Sequence, residues 1–393
     1  MTQNTPDAGL EFSLVRGDAL FRAQRALGLI PAHGLGVPRR AILAVLVTWV
    51  PLMVAAAIAN RLWSGAVPEP LLQHFGVHVR FLVAVPLFII DDALAQWVLE
   101  EIIPYFVHSG LVRDADRQRF AAIVESARHW RDGWRPLVGI AGIVIALIVV
   151  SPAVWDAHEL SWAVSDPPLR ALRFGIFWFR YVSLPIFLTL VLVWLWRLAL
   201  STALMWRISR LDLALVPTHP DEAAGLGFLE AVPMAFIAPA FAISAVLSGR
   251  WAHDVIYHGV TLSSLAISMG TFVVATALLI LVPLLVFMRP LGAARRIALF
   301  EYGTLVGEQH RRLRRRWILN ELLSDDAMLD APELGPGAYS GRLYDAVWRM
   351  LPIPVGKRSV LAILALIALP LVPLVAAEMH LGDALMKAVR ALL

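Results

Sequence analysis

Charged side chains vanish from this chain over six long stretches, residues 41–60, 136–155, 181–196, 231–249, 259–288 and 359–377. Crossing a bilayer core of roughly 30 Å takes about 20 apolar residues at about 1.5 Å per residue. Most of the six reach or approach that length. The shortest lies between Arg180 and Arg197, whose long side chains can extend to the headgroups. A more polar segment, 80–99, is a seventh candidate. Helices satisfy their own backbone groups in lipid, so the pattern predicts an all-α, polytopic transmembrane helix bundle of about seven spans.

Between the spans the pattern changes to amphipathic. Residues 11–30 interleave apolar positions with Arg16, Arg22 and Arg25, as a helix lying on an anionic membrane surface would. Residues 112–131 read as a second helix outside the bilayer, and 291–323 as one long helix. The long helix carries Arg311, Arg312, Arg314, Arg315 and Arg316, candidates for contact with anionic lipid headgroups. Residues 324–341, rich in Pro, Gly and Asp, read as a linker. Residues 378–393 suggest a short amphipathic helix on the far surface. Four regions result: 1–40, 41–288 with a helical loop at 104–135, 289–358, and 359–393.

Charge then orients the bundle. With seven spans, loops 1–40, 104–135, 201–228 and 289–358 hold 25 Lys and Arg, against seven in the alternate loops. The positive-inside rule places the N-terminus in the cytoplasm and the C-terminus outside. The net charge of +4 is thereby a topology signal and calls for no nucleic-acid partner. The chain is 59% hydrophobic with a mean hydropathy of +0.70. It has no cysteine, which excludes disulfides and thiolate chemistry. Residues 1–40 lack the pattern of a secretion signal. The expected location is a bacterial inner membrane, with anionic headgroups as partners on the cytoplasmic side and self-association left open.

Candidate chemistry concentrates in three places. Asp92, Gln96 and Glu100 share one face of the second span, beside Asp91. If that span starts at Arg80, Asp92 lies near the midplane. If it covers 73–90, Arg80 is buried and the acids lie at the cytoplasmic surface. Arg197 is either an ordinary interfacial arginine behind Trp194 and Trp196 or a partner for Asp91 or Asp92, with Arg295 and Arg296 as other partners. The loop VPTHPDEAAGLGFLEAVP reads as a helix start, with Thr218 as N-cap and Asp221 as its capping-box acid. His219 and Asp221 are alternatively a proton-transfer or metal pair, though two ligands do not close a site. His74, His78, His158, His253, His258 and His380 gather on the outer side, where unliganded interfacial histidines are the default.

This chain resembles a family of uncharacterised bacterial multi-pass inner-membrane proteins. The resemblance is carried by VSLP (182–185), WLWR (194–197), PTHPD (217–221), GLGFL (225–229), EYG (301–303) and Trp317. It covers roughly residues 40–393, and the Pro-Thr-His-Pro-Asp loop is its most specific part. The family continues that loop Arg-Ala-Gly-Gly, whereas this chain has Glu222-Ala223-Ala224-Gly225. The resemblance implies architecture and carries no activity.

No P-loop, His-Glu-x-x-His zinc helix or Gly-x-Ser-x-Gly element occurs, and the last apolar run holds no lysine for a Schiff base. No cofactor or metal is called for, and no catalytic constellation is recognisable. Transport or channel-like activity through the polar face of the second span is favoured. The alternative is a membrane scaffold or signalling partner acting through its basic cytoplasmic helices. An embedded enzyme using His219 and Asp221 comes third.

Overall fold

Where they are described, the uncharged stretches fold largely as helices, and among the described residues eleven helical stretches order the chain. They are α1 (Ala19–Ala26), α2 (Val37–Ile58), α3 (Phe75–His108), α4 (Arg117–Asp132), α5 (Arg135–Val150) and α6 (Arg170–Ile208). Next come α7 (Gly227–Tyr257), α8 (Leu262–Leu285), α9 (Met288–Trp317), α10 (Gly335–Arg349) and α11 (Lys357–Ala376). The computed structural model describes residues 12–31, 34–63, 70–150, 160–163, 170–319 and 335–378. Among these, the one β contact is an isolated bridge between Val112 and Leu213.

Helices α2, α3, α6, α7, α8 and α11 are each long and apolar enough to cross a bilayer. The polar seventh candidate, 80–99, lies within α3, and the charge-free run 136–155 corresponds to α5, whose 16 described residues meet α4 at a bend of 43°. The chain is a multi-pass integral membrane protein. Helices α3 and α7 are central: 56% and 61% of their most apolar windows are buried, against 22% for α2 and α11. At about 1.5 Å per residue, the 34 residues of α3 and 39 of α6 exceed what a bilayer core of roughly 30 Å requires.

Prolines cost helices backbone bonds, and neighbouring spans supply replacements. Pro51 cannot donate to Val47, whose carbonyl instead accepts the Trp178 indole N–H at 2.8 Å. The next carbonyl, Thr48, accepts the Ser183 hydroxyl at 2.7 Å. Pro86 and Pro185 each follow a widened π-helical segment, Val79–Ala84 and Phe179–Ser183, which accommodates the missing donor. On α7, Ser244 and Ser248 donate to the Ile367 and Pro370 carbonyls of α11, both at 2.6 Å. Such side-chain bonds join helices where hydrocarbon offers no water.

Several segment boundaries differ from the sequence pattern. Residues 11–30 do not form one surface helix. Only α1 is helical, and Phe12, Leu14 and Val15 are fully buried in the core. Gly17 turns the chain between these parts at φ 93°, a left-handed conformation that favours glycine. The linker expected over 324–341 overlaps α10, whose helix begins at Gly335, and α10 packs along α9 as a helical hairpin. Residues 320–334 and 379–393, including the amphipathic segment after the last span, lie outside the described residues.

Candidate functional site

The densest polar constellation lies where α1, α2, α3 and α6 meet. Arg40 is the fourth residue of α2, and its Nη2 lies 2.6 Å from Asp92 Oδ2, with both side chains 4% exposed. The other Asp92 oxygen accepts from Arg197 Nη1 on α6. Arg197 Nη2 continues to Asp18 Oδ2 at 3.0 Å. Asp18 in turn caps α1, its Oδ1 accepting the Leu20 amide at 2.7 Å. Two cations and two anions thus alternate in a buried chain. Burying ions costs several kcal/mol each before pairing restores it, so the arrangement is better explained as setting the mutual placement of four segments than as a source of stability.

Arg40 lies about 5 Å from the start of α2 at about 1.5 Å per residue, so its pairing holds Asp92 level with the first turn of α2. Asp92 and Gln96 face protein, being 3% and 7% exposed. Arg197 is 8% exposed, a buried partner instead of an interfacial belt residue. Arg295 turns elsewhere, to the Trp348 carbonyl at 2.6 Å.

Around the ion chain lies a set of buried polar atoms with no hydrogen bond: Asp91 Oδ1, Gln96 Oε1, Trp194 Nε1, Ser201 Oγ and the Nε atoms of Arg40 and Arg197. Trp194, Arg197 and Ser201 fall at i, i+3 and i+7 on one face of α6, while Asp92 and Gln96 share a face of α3. Buried polar groups are nearly always satisfied in folded proteins, so this concentration singles the region out. Its nature is polar and ionic. Among the described residues no group of three His, Cys, Asp or Glu side chains is placed to hold a metal ion.

The second site is the His-Pro-Asp loop, and here the capping expectation is corrected. No helix starts at Thr218. The next helical element is the 3-10 turn Gly227–Phe236, which leads into the α-helical part of α7. Asp221 organises the loop from within: its Oδ1 accepts the Ala223 and Gly225 amides at 2.9 and 3.1 Å, and its Oδ2 the Gly227 amide at 2.8 Å. His219 Nδ1 stands 2.8 Å from Asp221 Oδ1. The Asp221 amide also points at that nitrogen, at 3.4 Å. Burial pushes the Asp221 pKa up, but the three amides and His219 together outweigh it and hold the carboxyl below its ordinary value. Glu222 and Ala224 adopt positive φ, both 56°, bent into that shape around the carboxylate.

The remaining sequence candidates stay apart from these two sites. Arg311, Arg312, Arg314 and Arg315 are exposed on α9, and Arg312 pairs with Glu308 at 2.6 Å; the Arg316 side chain lies outside the described residues. His74 and His253 stack edge to face with ring centres 5.1 Å apart. His78 accepts the Trp49 indole N–H at 3.0 Å, so its other nitrogen donates to the Leu71 carbonyl, also at 3.0 Å. His158 and His380 lie outside the described residues. Sequence reasoning missed Asp18 and Arg40 as members of the ion chain. Arg40, flanking the first apolar run, looked like a topology charge, and Asp18 a position on a surface helix. No family model, curated protein or solved structure matches this chain.

Proposed function

We propose that this protein is a membrane-anchored scaffold or signalling partner of a bacterial inner membrane, with its N-terminus in the cytoplasm. The observation that carries this reading is the buried ion chain Arg40–Asp92–Arg197–Asp18. A transport path built on Asp92 would need that carboxylate to change partners during a cycle, whereas here it is held by two arginines and tied through Arg197 to the N-terminal segment. The platform would be the face where α3, α4, α6 and the α9–α10 hairpin project. Phe300 and Ile297 are 76% and 57% exposed on α9, ahead of its exposed arginines, a pattern suited to a partner or to anionic headgroups. The 25-to-7 loop bias and the resemblance of the 217–229 loop support the membrane and the orientation.

A second reading, transport, is favoured by one specific observation: the unbonded Asp91 and Gln96 oxygens lie on α3 beyond its π-helical segment. Reconstitution into sealed vesicles separates the two. The scaffold reading expects ion and proton leak equal to that of protein-free vesicles. It also expects no change on Asp91→Asn. A flux that requires Asp91 would overturn it in favour of transport.

A further inference from the structure

A groove of about 570 Å³ opens where the His-Pro-Asp loop meets the start of α11. Arg349 at the end of α10, and Lys357 and Arg358 in the first turn of α11, line it together with Glu222 and Glu230. All three cations are exposed, and none makes an ion pair or hydrogen bond among the described residues.

The groove is a fixed structure. The Leu351 amide donates to the Glu222 carbonyl at 2.7 Å. The Glu230 carboxylate is drawn to one wall, where Oε1 accepts the Gly356 amide at 3.2 Å and the Ser359 hydroxyl. That acid therefore serves the helix start, and with Glu222 as the other acid of the lining the groove keeps an excess of positive charge.

The placement of these charges is unfavourable to the fold alone. Lys357 and Arg358 occupy the first turn of α11, which holds no acidic residue. That end of a helix carries a partial positive charge, so cations there are disfavoured. Adding Arg349 brings a third cation to the same positive field. An anion seated in the groove would relieve all three. A guanidinium offers paired donors matched to phosphate oxygens, and a lysine adds a point charge. The volume falls within the range of small-ligand sites and has room for more than the phosphate group itself. Lys357 opens a membrane span, so the groove lies at the level of lipid headgroups.

We infer that this groove binds a phosphate-bearing anion, gripped by Arg349, Lys357 and Arg358. The inference is independent of whether the bundle transports or scaffolds.

The test uses the full chain in nanodiscs. One arm exchanges phosphatidylcholine for phosphatidylglycerol and counts retained anionic lipids by native mass spectrometry. The other titrates inorganic phosphate and glycerol phosphate against the protein in phosphatidylcholine alone, read by thermal shift. Saturable binding in the first arm alone identifies a lipid headgroup; saturable binding in the second identifies a free phosphate compound. The double variant Arg349→Gln, Arg358→Gln should weaken that binding at least tenfold. The variant Arg311→Gln, Arg312→Gln, which removes the same charge from the exposed stretch of α9, should change it less than twofold. All variants should melt as the parent does without ligand. Absence of saturable binding in both arms would overturn the inference. So would equal losses in the two double variants, which would mean bulk electrostatic attraction only. A further variant, Arg349→Lys, keeps the charge and loses the fork; it should retain part of the affinity, and a groove variant that misfolds leaves this one to decide.

Discussion

The Gly227 amide points at Asp221 Oδ2 from 2.8 Å, and a methyl group added at Gly227 would stand 2.8 Å from Asp221 Cβ. Hydrogen is the only substituent this contact admits. The loop that looked like a helix cap is in fact wound around a carboxylate, and Gly227 is its point of closest approach. Gly227→Ala should therefore open the loop and lower the melting temperature of the purified protein. Asp221→Ala removes several amide contacts to one charge, each such bond being worth about 1.5–3 kcal/mol, and should cost at least about 2 kcal/mol. His219→Ala, losing a half-exposed pair, should cost no more than about 1 kcal/mol. Thr218→Ala should be neutral. A larger loss for Thr218→Ala than for Asp221→Ala would restore the capping account.

The same carboxylate sets a pH dependence. Folding lowers the Asp221 pKa below its ordinary 3.8, so the unfolded chain takes up this proton first as the solution is acidified. Its stabilising contribution is complete above the ordinary carboxylate range and is lost as pH falls through the lower, folded value. Asp221→Asn should remove this component. Melts of parent and variant between neutral and acidic pH should then show their difference narrowing toward the acid end.

Asp92 is the hub between two arginines, and removing it strands Arg40 and leaves Arg197 with Asp18 alone. Breaking a buried pair by deleting one partner typically costs about 3–5 kcal/mol, so Asp92→Ala should fall in that range in a denaturant or thermal melt. Asp91→Leu deletes a buried oxygen that has no partner and should be neutral or stabilising. A loss for Asp91→Leu as large as that for Asp92→Ala would assign Asp91 a bond the ion chain does not include.

At Gly17 a side chain would meet Asp132 Oδ1 at 2.6 Å and Arg131 Nη2 at 2.7 Å. Arg131 Nη1 also holds the Ser13 carbonyl at 2.5 Å, and Arg22 holds the Asp132 carbonyl at 2.6 Å. Gly17→Ala should loosen this junction and release Phe12, Leu14 and Val15 from the core. Limited trypsin digestion reads the change directly: cleavage after the exposed Arg16 should be faster in the variant, with cleavage elsewhere unchanged.

The loop charge bias gives a topology test. A reporter fused after Gly110, beyond the end of α3, should be active only in the cytoplasm. An exported signal from that position would reverse the orientation of the whole bundle.

The membrane class was legible because charge-free runs have a minimum length set by the bilayer, and each long run is helical over most of its described residues. The acidic face of α3 was also legible from its spacing, and its placement toward protein followed. What the pattern could not convey was partnership across long separations. Arg197 and Asp18 are 179 residues apart in the chain, and nothing local distinguishes Asp18 from a solvated acid. The His-Pro-Asp loop failed for a different reason. Thr-x-x-Asp spacing fits a capping box, but positive φ at Glu222 and Ala224 winds the backbone back on Asp221 before any helix begins. Residue types so unsuited to that conformation gave no warning of it.

The ion chain also has a chronology. Arg40 and Asp92 belong to the first two long helices and can meet soon after both have left the ribosome. Arg197 arrives only after about another hundred residues, which at about 5–20 residues per second is a delay of roughly 5–20 s. Until then Asp92 has one cation instead of two, and Asp18 has no basic partner on α6. The N-terminal segment cannot finish docking before that moment, although it is made first. Its closure over the bundle would then report that α6 is in place, making the oldest part of the chain among the last to settle.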